Sequence, residues 1–71
     1  MDALQVSLLL DYYGDLLTER QRTCLDLKYN QDLSLSEIAE ELSVSRQGVY
    51  DSIKKSEAQL LDYESKLGLM K

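Results

Sequence analysis

The sequence predicts an all-α domain of four helices, of which the last is long. The chain has no proline and only three glycines, a composition that favours helices over strands. Its 71 residues suffice for one small core, so we expect a single domain over residues 1–71. Two internal helix starts are marked by capping-box patterns, TERQ from Thr18 and SLSE from Ser34.

The first predicted helix covers residues 3–15. Its apolar side chains form two neighbouring stripes at helical spacing, with Leu4, Leu8 and Tyr12 in one and Leu9, Tyr13 and Leu16 in the other. The apolar face is therefore broad. Gly14 weakens the end of this helix.

The second predicted helix covers residues 19–30, with Thr18 as its N-cap and Gln21 as the third helical residue. Its expected buried side chains are Cys24, Leu25, Leu27 and Tyr29. The single cysteine cannot form an internal disulfide, and its apolar neighbours favour a role as a small core residue.

The third predicted helix covers residues 35–42, after a polar break at residues 30–32. Ser34 and Glu37 form its capping box. We expect its inward face to consist of Leu35, Ile38, Ala39 and Leu42.

The fourth predicted helix covers residues 46–67, since Ser45 is a good N-cap and Gly68 is the first strong stop. Its apolar seam, with spacings of four and three, is Val49, Ile53, Ser56, Leu60, Tyr63 and Leu67. A three-helix core covers only the first half of this seam, so the second half must pack on the first helix or on another chain. The small core and long seam favour a homodimer with three contact residues, Leu60, Tyr63 and Leu67.

Residues 35–55 match the pattern of a helix-turn-helix without a wing. Ala39 is small where two steeply crossing helices come closest, and Val44 fills the underside of the turn. Only residues 43–45 separate the two helices, which is the turn length that the motif requires.

If this motif docks as its relatives do, the start of the fourth helix faces a nucleic-acid groove. The candidate binding residues are Ser45, Arg46, Gln47, Tyr50, Lys54 and Lys55. We expect Arg46 to contact a guanine or a phosphate, and Gln47 an adenine. Tyr50 and Lys54 would contact the backbone. The alternative is that these are solvated residues whose cations pair with neighbouring carboxylates.

The charge of the chain is −5, but it is unevenly distributed. Residues 1–45 hold three basic and nine acidic side chains, whereas residues 46–71 hold five basic and four acidic ones. The acidity therefore lies mostly away from the candidate reading helix. The acidic residues Asp11, Asp15, Glu37, Glu40 and Glu41 are either a solvated face or a surface for a basic protein partner.

The stretch LTERQRTCLDLKYNQDLSLSEIAEELSVSRQGVY, residues 17–50, resembles the fourth region of sigma factors. With the tail SRQGVYDSIKKSEAQLLDYESKL, it is more similar to the YlxM family of small bacterial helix-turn-helix proteins, over residues 8–69. The resemblance implies a regulatory role in the signal recognition particle pathway and contact with DNA, with the particle's RNA or with one of its protein components. Family members usually continue for tens of residues beyond residue 71.

The sequence argues against several other classes of protein. With no histidine and one cysteine, one chain cannot assemble a metal cage of these residues or a Cys-His pair, so we expect no enzyme, metal or cofactor. The longest apolar run is residues 8–10, which predicts no membrane span. No secretory signal is visible, and one cysteine fits a reducing cytoplasm.

Overall fold

The computed structural model describes residues 2–70, in which four α-helices pack around one core. Their bounds, with two short helical turns between them, are α1 Ala3–Tyr13, a 3-10 turn Gly14–Leu16, α2 Glu19–Leu25, a π-helical turn Asp26–Asn30, α3 Leu35–Leu42 and α4 Arg46–Leu67. No strand occurs within these residues. The predicted all-α helix-turn-helix architecture is confirmed.

All four α-helices within residues 2–70 begin at a side-chain cap. Asp2 accepts a hydrogen bond from the Gln5 amide at 2.8 Å, and Ser45 accepts one from the Gly48 amide at 2.9 Å. Both predicted capping boxes are present, with Thr18 capping α2 and Ser34 capping α3. These local bonds satisfy amides that have no partner inside the helix, and they fix where each helix starts.

The predicted second helix, residues 19–30, is not one continuous α-helix. After Leu25 the chain widens into the π-helical turn, where the Gln31 amide donates to the Asp26 carbonyl. The Asp26 carboxylate also accepts from the side chains of Asn30 and Gln31. Asp32 then adopts a left-handed conformation, φ 57°, which ends the helical segment.

The predicted first helix also ends early, because residues 14–16 form a separate 3-10 turn. Only one of its two apolar stripes faces the core: Leu9 and Tyr13 are buried, together with Val6. The other stripe is exposed, from Leu4 at 71% to Leu8 at 40%, and Leu16, predicted in the same stripe as Leu9 and Tyr13, is exposed too. Both stripes are equally apolar, so the choice between them is made by packing against the other helices.

The core is built from the inward faces of all four helices and from Leu17, which lies between the 3-10 turn and α2. Its helical members are Val6, Leu9, Tyr13, Cys24, Leu25, Ile38, Ala39, Val49, Ile53 and Leu60. Cys24 is a buried free thiol, as expected of a small core residue. Leu35 and Leu42 are only half-buried, at the edges of the inward face of α3. The second half of α4 packs on α1, which is one of the two options that the sequence left open.

Candidate nucleic-acid interface

The turn between α3 and α4 sets the direction in which α4 leaves the core. Ser43 adopts a left-handed conformation, φ 57° and ψ 43°, and the Val44 amide donates to the Ala39 carbonyl at 3.0 Å. This arrangement closes α3 and reverses the chain within three residues. Ser45 then caps α4, so the first turns of α4 project from the domain with Val49 and Ile53 held in the core.

The predicted contact residues at the start of α4 are all exposed, but their side chains are not equally free. The Ser45 hydroxyl is engaged as the helix cap. The Gln47 side chain donates to Asp51 at 2.9 Å, which commits one of its amide hydrogens. Its carbonyl oxygen and second hydrogen remain for a base, and the Asp51 carboxylate is turned toward Gln47.

Arg46, Gln47 and Tyr50 come together around an open groove of about 400 Å³, with Leu35 of α3 as the fourth lining residue. Tyr50 is 45% exposed, and the Lys54 ammonium lies 5.7 Å from the centre of its ring. The cations suit a phosphate, and the exposed tyrosine ring suits a stacked base. The structure therefore places four of the six predicted contact residues on one continuous surface.

Lys55 does not share this surface. It is exposed on α4, but successive residues of an α-helix are about 100° apart, so Lys55 points well away from Lys54. It lines neither of the two grooves beside Tyr50. Any contact it makes with a ligand would be at the edge of the interface.

The cations of the candidate interface lie apart from the ion pairs found within residues 2–70. Within residues 2–70, no carboxylate lies within the 4.0 Å of an ion pair from Arg46, Lys54 or Lys55. The two ion pairs of this part of the chain, Arg22 with Asp15 and Lys66 with Asp62, lie elsewhere. Within the described residues these cations form no such pair, whereas their exposure is compatible both with solvation and with contact to a ligand.

The acidic residues of α3 form a separate surface. Glu37, Glu40 and Glu41 line an open groove with Leu33, and none of them lines the grooves beside Tyr50. Hydrogen bonds from the Ser34 amide and hydroxyl lower the pKa of Glu37, which belongs to the capping box. This carboxylate therefore stays ionised, and it serves the start of the helix.

The predicted partner contacts on α4 have different environments. Leu60 is completely buried, 0% exposed, in the core of its own chain, so its assignment as a partner contact is wrong for this fold. Tyr63 is half-buried, and its ring lies 6.1 Å from that of Tyr13 on α1. Leu67 is 55% exposed and remains available to a partner. The buried part of the long seam is explained by packing within its own chain.

Sequence reasoning missed Lys28, which the π-helical turn brings beside α4. Lys28 and Lys54 line one small groove together with Tyr29, Leu35, Tyr50, Ile53 and Glu57. In the sequence, Lys28 belongs to the acidic first part of the chain, 26 positions before Lys54. The only local signal is the dipeptide Lys28-Tyr29, a cation next to an aromatic residue, and that signal is weak.

Within residues 2–70, a turn of three residues joins α3 to α4, and α4 begins at a side-chain cap with its first turns exposed to solvent. This arrangement, on a core of four helices, defines a helix-turn-helix protein. The chain belongs to the UPF0122 family, since residues 1–71 match the family model described as "Putative helix-turn-helix protein, YlxM / p13 like". The resemblance to YlxM proteins is thus confirmed.

Curated relatives are similar along almost the whole chain. A UPF0122 protein of Clostridium kluyveri is 61% identical over 69 residues, covering 97% of this chain and 62% of the relative. UPF0122 proteins of Acetivibrio thermocellus and Desulforamulus reducens are 59% and 54% identical, each covering 93% of this chain and 56% of the relative. The chain spans less than two thirds of the length of these relatives.

Two further observations concern sites of other kinds. Among the described helices, none combines the length and apolar character that crossing a membrane requires. Within residues 2–70, no group of three or more His, Cys, Asp or Glu side chains is arranged to hold a metal ion.

Proposed function

We propose that this chain is a non-catalytic, cytoplasmic helix-turn-helix regulator that binds DNA or RNA through α4, in the signal recognition particle pathway. In this proposal residues 1–71 act as one domain, with the helix-turn-helix at residues 35–55. The observation that carries it is the exposed surface on the first half of α4 formed by Arg46, Tyr50 and Lys54. Its two cations form no ion pair within residues 2–70. The resemblance to sigma region 4 and to YlxM proteins supports both the binding mode and the pathway.

The two ends of this surface suit different parts of a nucleic acid. Arg46 has a planar guanidinium that can bond a guanine edge or a phosphate in a bidentate manner. Lys54 is a compact charge beside the Tyr50 ring, which suits a backbone phosphate. With so few cations, binding by one copy is expected to be weak and to fall steeply as salt rises.

The experiment that tests this proposal is a salt titration of binding to two labelled targets, random duplex DNA and signal recognition particle RNA. Wild type should bind at least one target at low salt. Its affinity should fall as the salt concentration is raised from about 0.05 to 0.2 M. Arg46→Ala should weaken that binding and flatten the salt dependence. The preferred target separates a transcriptional role from a role on the particle.

A matched control is Arg20→Ala, which removes the same charge from an exposed position on α2. If Arg20→Ala and Arg46→Ala weaken binding equally, only the net charge matters and α4 is not the interface. If wild type binds neither target at low salt, the nucleic-acid proposal is wrong.

A second candidate function is a protein-interaction module, and the exposed face of α1 favours it. Leu8, Asp11 and Tyr12 are exposed on neighbouring turns of this helix, so apolar and acidic side chains alternate there. Such a face fits a partner surface that is apolar and basic, such as a protein component of the particle, better than a second acidic copy of itself.

This second candidate predicts that Leu8→Ser abolishes co-purification with a particle protein while Arg46→Ala leaves it intact. The reverse pattern would contradict it. The homodimer remains a separate prediction, in which Leu67 is the exposed part of the α4 seam. Sedimentation equilibrium of wild type and Leu67→Glu over a range of concentrations tests it, because a dimer through this position must dissociate in the variant.

A further inference from the structure

The groove that contains Lys28 is made by three separate elements. The π-helical turn supplies Lys28 and Tyr29, α3 supplies Leu35, and α4 supplies residues including Tyr50 and Lys54. Its volume is about 120 Å³, too small to enclose a nucleotide but large enough to seat part of a backbone. Leu35 and Tyr50 also line the larger groove beside Arg46, so the two grooves form one continuous surface.

Each lysine of this groove lies over a tyrosine ring. The Lys28 ammonium is 5.3 Å from the centre of the Tyr29 ring, and the Lys54 ammonium is 5.7 Å from that of Tyr50. Lys28 forms no ion pair with a carboxylate of residues 2–70. The ring contacts restrict both ammonium groups without neutralising them, because an aromatic face carries no net charge.

The carboxylate in this groove is already engaged. Glu57 accepts a hydrogen bond from the Tyr29 hydroxyl. It stands two turns further along α4 than Tyr50, which places it toward the middle of the helix and away from Arg46. Lys28 lines the same groove as Tyr50 and Lys54, so a ligand that contacts those two residues lies within reach of Lys28 as well.

We propose that Lys28, outside the helix-turn-helix, contacts a phosphate of the bound nucleic acid and clamps its backbone against Lys54 and Tyr50. This inference rests on the proposed function and extends the interface to a second element of the chain. A backbone phosphate is the expected ligand because lysine offers a point charge with no base preference. Its position also suits a flanking contact, since helix-turn-helix proteins place elements that precede the reading helix across the backbone.

The test is the salt dependence of binding by Lys28→Gln, measured on the nucleic-acid target that wild type binds. Losing one phosphate contact should reduce the slope of log K against log salt by about 0.9 on duplex DNA, or about 0.7 on a single strand. Affinity near 0.05 M salt should fall roughly tenfold. The loss should be equal for targets of different sequence, because a phosphate contact reads no bases.

Two further variants separate a contact from a general effect of charge. Lys66→Gln removes the same charge from the far end of α4, where Lys66 is paired with Asp62, and should leave the slope unchanged. Lys28→Arg should restore binding. The thermal midpoint of each variant shows whether the fold is intact.

The outcomes distinguish this inference from the proposed function. If wild type binds and Arg46→Ala weakens it while Lys28→Gln has no effect, the clamp is wrong and the α4 interface stands. Equal slopes for Lys28→Gln and Lys66→Gln also overturn the clamp. Absence of wild-type binding overturns both proposals.

Discussion

The first half of α4, residues 46–55, and its second half, residues 56–67, differ in what their polar side chains contact. In the second half, Lys66 pairs with Asp62, and Glu64 accepts hydrogen bonds from the Tyr13 hydroxyl and the Met70 amide. In the first half, none of the three cations has a carboxylate partner within residues 2–70. Both halves belong to one uninterrupted helix.

The inward faces of the two halves do not explain this difference. Val49 and Ile53 in the first half are as well buried as Leu60 in the second, so both halves are anchored by apolar packing. Polar groups of the second half bond α4 to the rest of the domain: Glu64 bonds Tyr13 of α1, Gln59 bonds Gln21 of α2, and Glu57 bonds Tyr29 of the π-helical turn. The cations of the first half are not required for packing, and this makes them the part of the helix that is available to a ligand.

The largest loss of stability is expected from Leu60→Ala, in the second half of α4. Leu60 is fully buried, so its truncation should cost about 2–5 kcal/mol of unfolding free energy. Leu67→Ala, seven residues further on and half exposed, should change it by no more than about 0.5 kcal/mol. Urea unfolding of both variants measures the difference.

A dimer contact at Leu60 would give another result. The stability of Leu60→Ala would then depend on protein concentration, and an intact monomer would appear at high dilution. A core residue gives a loss that is independent of concentration. The second outcome is expected from the burial of Leu60 in its own chain.

Tyr13→Phe should have the next largest effect. The Tyr13 hydroxyl is buried, donates to Glu64 and accepts the Leu69 amide at 3.0 Å. Its removal takes one donor from Glu64, which keeps the Met70 amide, and removes the acceptor of the Leu69 amide. We expect the thermal midpoint to fall by about 4–8 °C, as for the loss of a well-made buried hydrogen bond in a domain of this size. Tyr29→Phe should lower it less, because Tyr29 is only half-buried and bonds one group, Glu57. Equal shifts would mean that the deeper burial and the second bond of the Tyr13 hydroxyl add nothing to stability.

Features that depend on nearby residues were predicted well from the sequence. The capping boxes at Thr18 and Ser34, the cap at Ser45 and the turn before α4 each involve side chains within three or four positions of the groups they bond. Such contacts are fixed by the local chain path. The presence of α4 and its exposed first half followed from the same local patterns.

Features that depend on distant residues were not predicted. The two apolar stripes of α1 are equivalent in the sequence, and only packing against the other helices determines which one is buried. Leu60 is likewise a core residue only because α1 packs back onto α4. Lys28 joins the candidate site through a turn whose π-helical form has no strong sequence signal. The candidate site was therefore predicted along α4, and missed where another element enters it.

Ser43→Gly, in the turn that precedes the first half of α4, should make the protein more stable. Ser43 adopts a left-handed conformation that costs a residue with a Cβ atom about 1 kcal/mol, a cost that glycine avoids. We expect a gain of roughly that size, with nucleic-acid affinity unchanged. Ala58→Gly, at an exposed interior position of α4, is the control and should lose about 1 kcal/mol. Denaturant unfolding of the two variants gives both values, and a loss in Ser43→Gly would mean that the turn conformation differs.

The smallest expected effect is a loss of stability at alkaline pH. It arises at Tyr29, which bonds Glu57 near the start of the second half of α4. Burial, and then the hydrogen bond to Glu57, raise the pKa of Tyr29 from 10.0 to about 12. Between these values the unfolded chain loses the Tyr29 proton while the folded chain keeps it, so unfolding becomes more favourable as pH rises. The contribution of Tyr29 should therefore be complete below pH 10 and disappear through about pH 12.

The matched variant for this effect is Tyr29→Phe, which cannot titrate at this position. Tyr13 also has a raised pKa, through its burial and its bond to Glu64, but it is common to both proteins and cancels in their difference. The difference in unfolding free energy between wild type and Tyr29→Phe should be constant from about pH 8 to 10 and then shrink. A difference that stays constant above pH 10 would mean that neither burial nor the bond to Glu57 raises the pKa of Tyr29 in the folded chain. Apolar packing alone would then hold the π-helical turn against α4 near Glu57.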